Sequence, residues 1–219
     1  VRLKSPTFDT HIIIYDLSNK EGTTCICKAF TSAEYELIPH SQIFDTIKRI
    51  AYPGENELEF FYRTLDYYNV SYSRDMIDTM LAIDYITVNE DRHYNNIGLL
   101  LDLKGNLTLA PVYDNGNSLW FRSKTDQIDI NDDTRPCRPF VNKSTFGYWD
   151  KQVNLIDNCP VIDEKALDDL LKEFKELASA NSDFIPKRID IICEGIKFRY
   201  NKLRSITMNR IAENNRNKI

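Results

Sequence analysis

Three side chains suited to handling a phosphate fall within one short stretch of the chain. They are Asp91, Asn96 five residues later, and Asp114 eighteen residues after that. A carboxylate beside an attacking hydroxyl orients it and takes its proton. An amide oxygen and a second carboxylate are hard oxygen ligands of the kind a magnesium ion accepts. The set therefore reads as the parts of a phosphoryl transfer, with Asp91 as base and Asn96 and Asp114 as metal ligands. Arg92 and His93 lie between them, and either contact phosphate or pack structurally. No second histidine stands at a metal-binding spacing from His93. The hydrolase signatures G-x-S-x-G and H-E-x-x-H are absent.

Distant residues meet at one ion only if the chain between them doubles back. Ile97 to Leu103 and Leu107 to Pro111 alternate as strands around a Lys104-Gly105-Asn106 turn. A tight hairpin brings its ends together, and Asn96 and Asp114 flank those ends. Helical spacing runs from Ser41 past Ile43, Phe44, Ile47 and Ile50, then from Glu55 to Tyr68 after the Tyr52-Pro53-Gly54 break. Ser73 caps a third helix reaching about Ile86. Asp84 shares its apolar face with Met76 and Met80, and is either a brace for the following loop or a rim carboxylate.

Further on, 115–163 reads as irregular and polar. Asp163 to Ala180 and Pro186 to about Glu213 read as helices. The last carries seven basic residues, among them Arg188, Arg199, Lys202 and Arg210. These form either a solvated face or a dock for an acidic partner. Near the start, His11 to Leu17 and Thr23 to Cys27 read as an antiparallel hairpin too small to stand alone.

The 219 residues suffice for one large domain or two small ones, and 42% hydrophobic with 28% charged residues fits a globular protein. A net charge of -5 argues against nucleic acid as a partner, and no apolar run is long enough to enter a membrane. Five scattered cysteines suggest no disulfide framework, which makes a reducing cytoplasm the expected setting. The first residues lack a signal-peptide core, although export by another route stays compatible with the sequence.

Asp91-Arg92-His93-Tyr94-Asn95-Asn96 and Pro111-Val112-Tyr113-Asp114, with the lead-in from Asp84, resemble the HipA-like serine/threonine kinases of bacteria, a family that includes toxin kinases of toxin–antitoxin systems. The D-R-H-x-x-N-I run is also similar to phosphoinositide kinases, but Tyr113-Asp114-Asn115-Gly116 is closer to the HipA-like form than to D-F-G. The resemblance implies an α+β, protein-kinase-like fold with a mostly helical C-lobe and small β-hairpins. It implies ATP and Mg2+ as cofactors and a protein hydroxyl as acceptor. It places residues 1–30 as a remnant of N-lobe strands and hinge, with Cys27, Lys28 and Ala29 bordering the adenine. Residues 31–219 would be the C-lobe, with the catalytic loop at 84–117. No G-x-G-x-x-G and no V-A-I-K precede Asp91, so most of an N-lobe is missing from the expected plan. The chain then reads as a truncated or split kinase, with an antitoxin or an N-lobe-supplying chain as a partner. The competing expectation is a non-catalytic, partner-dependent module of the same fold. The loop from 115 to 163 would serve the acceptor, shaped in part by Arg135 to Phe140.

Overall fold

The structure, a computed structural model, describes residues 14–16, 24–26, 31–47, 52–138, 140, 148–179 and 185–216. Strands β1 (Ile14–Asp16) and β2 (Thr24–Ile26) pair antiparallel, with Tyr15 opposite Cys25. This is the described part of the first expected hairpin.

The second expected hairpin is the middle and edge of a larger sheet. Strand β3 (Tyr35–Pro39) pairs antiparallel with β4 (Gly98–Asp102), which pairs with β5 (Leu107–Leu109), in the order β3-β4-β5. Asp102 closes the β4–β5 turn. Its carboxylate accepts from the Lys104 and Asn106 N–H groups, both at 2.8 Å, while Gly105 takes φ +85°. Strand β3 has no counterpart in the sequence reading. It is short and exposed on its first two residues, and its pairing is fixed by a strand about sixty residues away. Pro39, which has no N–H, stands at its end opposite Gly98, and the sheet hands over directly to a helix.

That helix is α1 (His40–Ile47), which buries His40, Ile43, Phe44 and Ile47. Helix α2 (Glu57–Tyr67) starts at a capping box. The Asn56 side chain accepts from the Leu58 and Glu59 N–H groups, and Glu59 accepts from the Asn56 N–H. The box explains why the helix begins two residues after Glu55, whose carboxylate is instead held by Arg63 at 2.6 and 2.7 Å. Helix α3 (Arg74–Thr87) is capped by Ser73, as its sequence predicts. Phe61, Leu65, Leu81 and Tyr85 are fully buried where α2 and α3 meet the core. Each large apolar side chain buried this way contributes about 1.5–3 kcal/mol.

The C-terminal half is built on two helices, α5 (Glu164–Ser179) and α6 (Pro186–Arg216), preceded by the short α4 (Trp149–Gln152). The basic residues of α6 divide: Lys187, Lys197 and Arg204 are exposed, as a solvated face requires, whereas Arg188, Arg199, Lys202 and Arg210 are taken up by the irregular segment. Arg199 is fully buried beneath the 130–133 segment. Arg188 donates to the carbonyls of Ser123 and Trp120, and Arg210 to those of Val153, Asn154 and Ile156. Lys202 pairs with Asp133 at 2.6 Å. Trp120 presses on Gly195 so closely that an added Cβ would stand 2.3 Å from its ring. The described parts of the irregular run after Asn115 are thus fastened to α6 at several points. Backbone carbonyls left free by the lack of regular structure are satisfied by arginine forks.

Candidate active site at the end of the third helix

The floor of the site is a buried ion pair. Asp84 and Arg92 are both fully buried, and the guanidinium meets the carboxylate at two points, each 2.9 Å. Asn89 donates a third bond to the same carboxylate at 2.9 Å. Burial pushes the Asp84 carboxyl up from its ordinary value, against the hydrogen bonds and charge of Arg92 and the bond from Asn89. Asp84 is therefore a brace and not a rim residue.

Arg92 uses its remaining donors to gather the chain. Nη1 donates to the Asn96 carbonyl at 3.0 Å and to the Tyr113 carbonyl, while Nη2 donates to the Asn115 side chain. A single guanidinium therefore stitches the Asn96 segment to both neighbours of Asp114. The Tyr113 hydroxyl adds a second stitch, donating to the Asn95 carbonyl at 2.7 Å. The hairpin does bring its two flanks together, and Arg92 is the clasp. Its burial and its four protein partners correct the reading of Arg92 as a nucleotide contact. His93 is half-buried, with Nδ1 enclosed and unpartnered among the described residues. Cys27, Lys28 and Ala29 lie outside the described residues.

Asp91 faces outward from this floor. One oxygen, Oδ2, accepts from the Asn117 amide at 2.9 Å, and Oδ1 stands 3.7 Å from the Arg138 guanidinium. Asn96 is buried, and its Nδ2 donates to the Asp91 carbonyl at 3.1 Å. That bond fixes the orientation of the amide. Asp114 is exposed and takes φ +54°, a left-handed conformation that Asp tolerates better than most residues. Asn96 and Asp114 supply hard oxygens of the kind magnesium takes. No group of three or more His, Cys, Asp or Glu side chains gathers among the described residues. A cation held here would therefore complete its shell with water and phosphate, which is the manner of magnesium. Asn96 and Asp114 match that ion in the chemistry of their oxygens, and they stand on the two segments that Arg92 joins.

Just before the loop, Val88 takes φ +57° while fully buried with Trp120 and Ile192. A β-branched residue in this region costs about 1–3 kcal/mol. The strain is held by that packing and by the Leu119 N–H donating to the Thr87 carbonyl at 2.6 Å. The bent end aims the chain from α3 into the loop, where the Asn89 N–H still returns to the Asp84 carbonyl at 2.8 Å.

Asn117, Glu90, Arg135 and Arg138 complete the surroundings. Glu90 is held by Arg135 at 2.5 Å, and its N–H donates to the Asn117 carbonyl. Asn117 escaped the sequence reading because a lone Asn in a polar stretch carries no spacing signal. Its place three residues past Asp114 is the one hint available.

A layered helical body, a small antiparallel sheet against it and a polar loop between the end of one helix and a hairpin define a kinase-like fold. The arrangement is similar to the crystal structure of a Helicobacter pylori proinflammatory kinase, CtkA. The TM-score is 0.61 at 16% sequence identity, over 93% of this chain and 75% of that one. The likeness is one of fold. No protein-family model matches the sequence, and no curated protein matches it. Among the described residues, no helix is long and apolar enough to cross a membrane.

Proposed function

We propose that the chain is the catalytic lobe of an ATP-dependent kinase of HipA-like type, with a serine or threonine hydroxyl of a protein as acceptor. The observation that supports this most is the treatment of Asp91. One carboxylate oxygen is fixed by Asn117 and the other meets only the loose 3.7 Å approach of Arg138, beside segments that Arg92 draws together. Asp91 Oδ1 would orient the acceptor hydroxyl and receive its proton as the acceptor oxygen bonds to the γ-phosphorus and ADP departs. Asn96 and Asp114 would hold Mg2+, which neutralises the phosphate charge when bound. Asn117 would keep Asp91 turned toward the acceptor. Arg92 and Asp84 would set the distance between base and metal ligands without touching substrate.

The test is transfer of labelled phosphate from ATP, with magnesium, to the chain itself or to a generic protein acceptor. Asp91→Asn is expected to lower the rate about 10²- to 10⁴-fold, the usual contribution of a general base, with an unchanged melting temperature. Full transfer by that variant would remove Asp91 from the role.

A further inference from the structure

Three guanidinium groups belong to or contact the Glu90–Arg92 stretch, and they differ in freedom. Arg92 is fully buried, with protein acceptors on both terminal nitrogens and on Nε. Arg135 is pinned to Glu90 at 2.5 Å, with 16% of its side chain exposed. Arg138 has 61% of its side chain exposed and reaches Asp91 at 3.7 Å, a long and loose contact.

The backbone carrying Arg138 is held firmly. Its carbonyl accepts from the fully buried Gln152 amide at 2.7 Å. Two residues earlier, Pro136 bridges Tyr148, and Cys137 between them is buried. A fixed root with a free tip lets a long side chain swing between two partners. The contact it would give up is cheap, since a long ion pair with an exposed member is weakened by water and salt.

The tip also stands in a telling place. Asn117 fixes Oδ2 of Asp91, and Arg138 covers Oδ1, the oxygen left for an acceptor hydroxyl. A hydroxyl bound there lies in line with the phosphoryl group that it attacks. A cation that reaches Oδ1 is then within a side chain's swing of that group, whose charge spreads over its three outer oxygens in the transition state.

Resting on the phosphoryl-transfer reading of this site, we propose that Arg138 is a further catalytic residue, a γ-phosphate-directed cation. It pairs with Asp91 in the empty site and moves to the phosphoryl oxygens when a nucleoside triphosphate binds, which leaves Asp91 Oδ1 to the acceptor. The step itself is unchanged. The acceptor oxygen bonds to phosphorus, its proton goes to Asp91 and ADP leaves, while Arg138 forms hydrogen bonds to the transferred oxygens and breaks only its contact with Asp91.

The test compares affinities for a non-hydrolysable ATP analogue and for ADP, both with magnesium, in the full chain and in Arg138→Ala. A charge-assisted bond to the γ-phosphate alone predicts about a tenfold loss for the triphosphate, with ADP affinity nearly unchanged. Transfer should fall more steeply than binding, recover in part with added guanidinium ion, and be intermediate in Arg138→Lys. Equal loss for both nucleotides, or no loss for either, overturns the assignment, as does faster transfer, which would mark Arg138 as a plug over the base. A shift confined to the KM of the acceptor protein overturns it too. When the wild type transfers phosphate and Asp91→Asn does not, any of those results sinks Arg138 alone. If the wild type neither binds the magnesium triphosphate nor transfers phosphate, the kinase reading falls and Arg138 falls with it.

Discussion

Two arginines lie fully buried among the described residues, and they tie different parts of the chain to the end of α3. Arg92 joins the end of α3 to the loop and to the far end of the hairpin, within about twenty residues of chain. Arg199 reaches from α6 to the Tyr85 carbonyl at 2.7 Å, lies 4.1 Å from the Tyr85 ring centre and pairs with Asp133 at 3.2 Å. The first has a fully buried carboxylate as its counter-ion. The second has a carboxylate with 16% exposure that it shares with Lys202, and its own Nη2 is enclosed without a partner among the described residues. Burial lowers the Arg199 guanidinium from its ordinary value, against the pull of Tyr85 and Asp133. One arginine closes a local circuit in which each charge depends on the other. The other is a long-range strut whose partner has alternatives.

The contrast predicts different costs. Arg92→Met leaves the Asp84 charge buried without its cation and frees three acceptors, so a loss of about 3–5 kcal/mol is expected by denaturant unfolding. Adding Asp84→Leu to it should recover part of that loss, because the stranded charge is gone. Gly195→Ala tests the contact that holds the same irregular segment to α6, and should cost about 1–3 kcal/mol by crowding Trp120. Arg199→Met keeps much of the stem packing and leaves Asp133 with Lys202 and water, so about 1–2 kcal/mol is expected. If Arg199→Met proves costlier than Arg92→Met, the division into circuit and strut is wrong.

A third buried cation-former sharpens the comparison by having no counter-ion. His40 is fully buried among Phe44, Phe61 and Tyr94, and neither ring nitrogen has a partner among the described residues. Burial lowers its pKa from 6.5 to about 3. Between those values the unfolded chain binds the proton that the folded chain refuses. Stability from this site is therefore full above pH 6.5 and lost progressively as pH falls toward 3. His40→Phe should raise the melting temperature modestly at pH 7.5 and by more at pH 5. An equal shift at both values would show that the imidazole finds a partner when charged.

The same contrast marks what sequence can carry. The α3 cap at Ser73, the Asp84 face and the β4–β5 turn were readable because each is set by neighbours a few residues apart. The meeting of the two hairpin flanks followed from them. Strand β3 and the fastening of the irregular segment to α6 were not readable, since Tyr35 to Pro39 pair with residues about sixty positions away and Arg199 with Tyr85 at a separation of 114. A basic helix face looks solvated until its acceptors, carbonyls of a segment without regular structure, are known. Within the site the loop residues were visible as a set, whereas Asn117 and the outward freedom of Arg138 depend on tertiary approach.

The claim at the centre is that Asn96 and Asp114 serve one cation. Calorimetric binding of the ATP analogue over a magnesium titration, in the wild type, Asn96→Ala, Asp114→Ala and the double variant, addresses it directly. Two ligands of one ion predict that each single change removes most of the magnesium-dependent affinity and that the double change adds little further. Independent, additive losses, or magnesium dependence that survives both changes, would contradict the account.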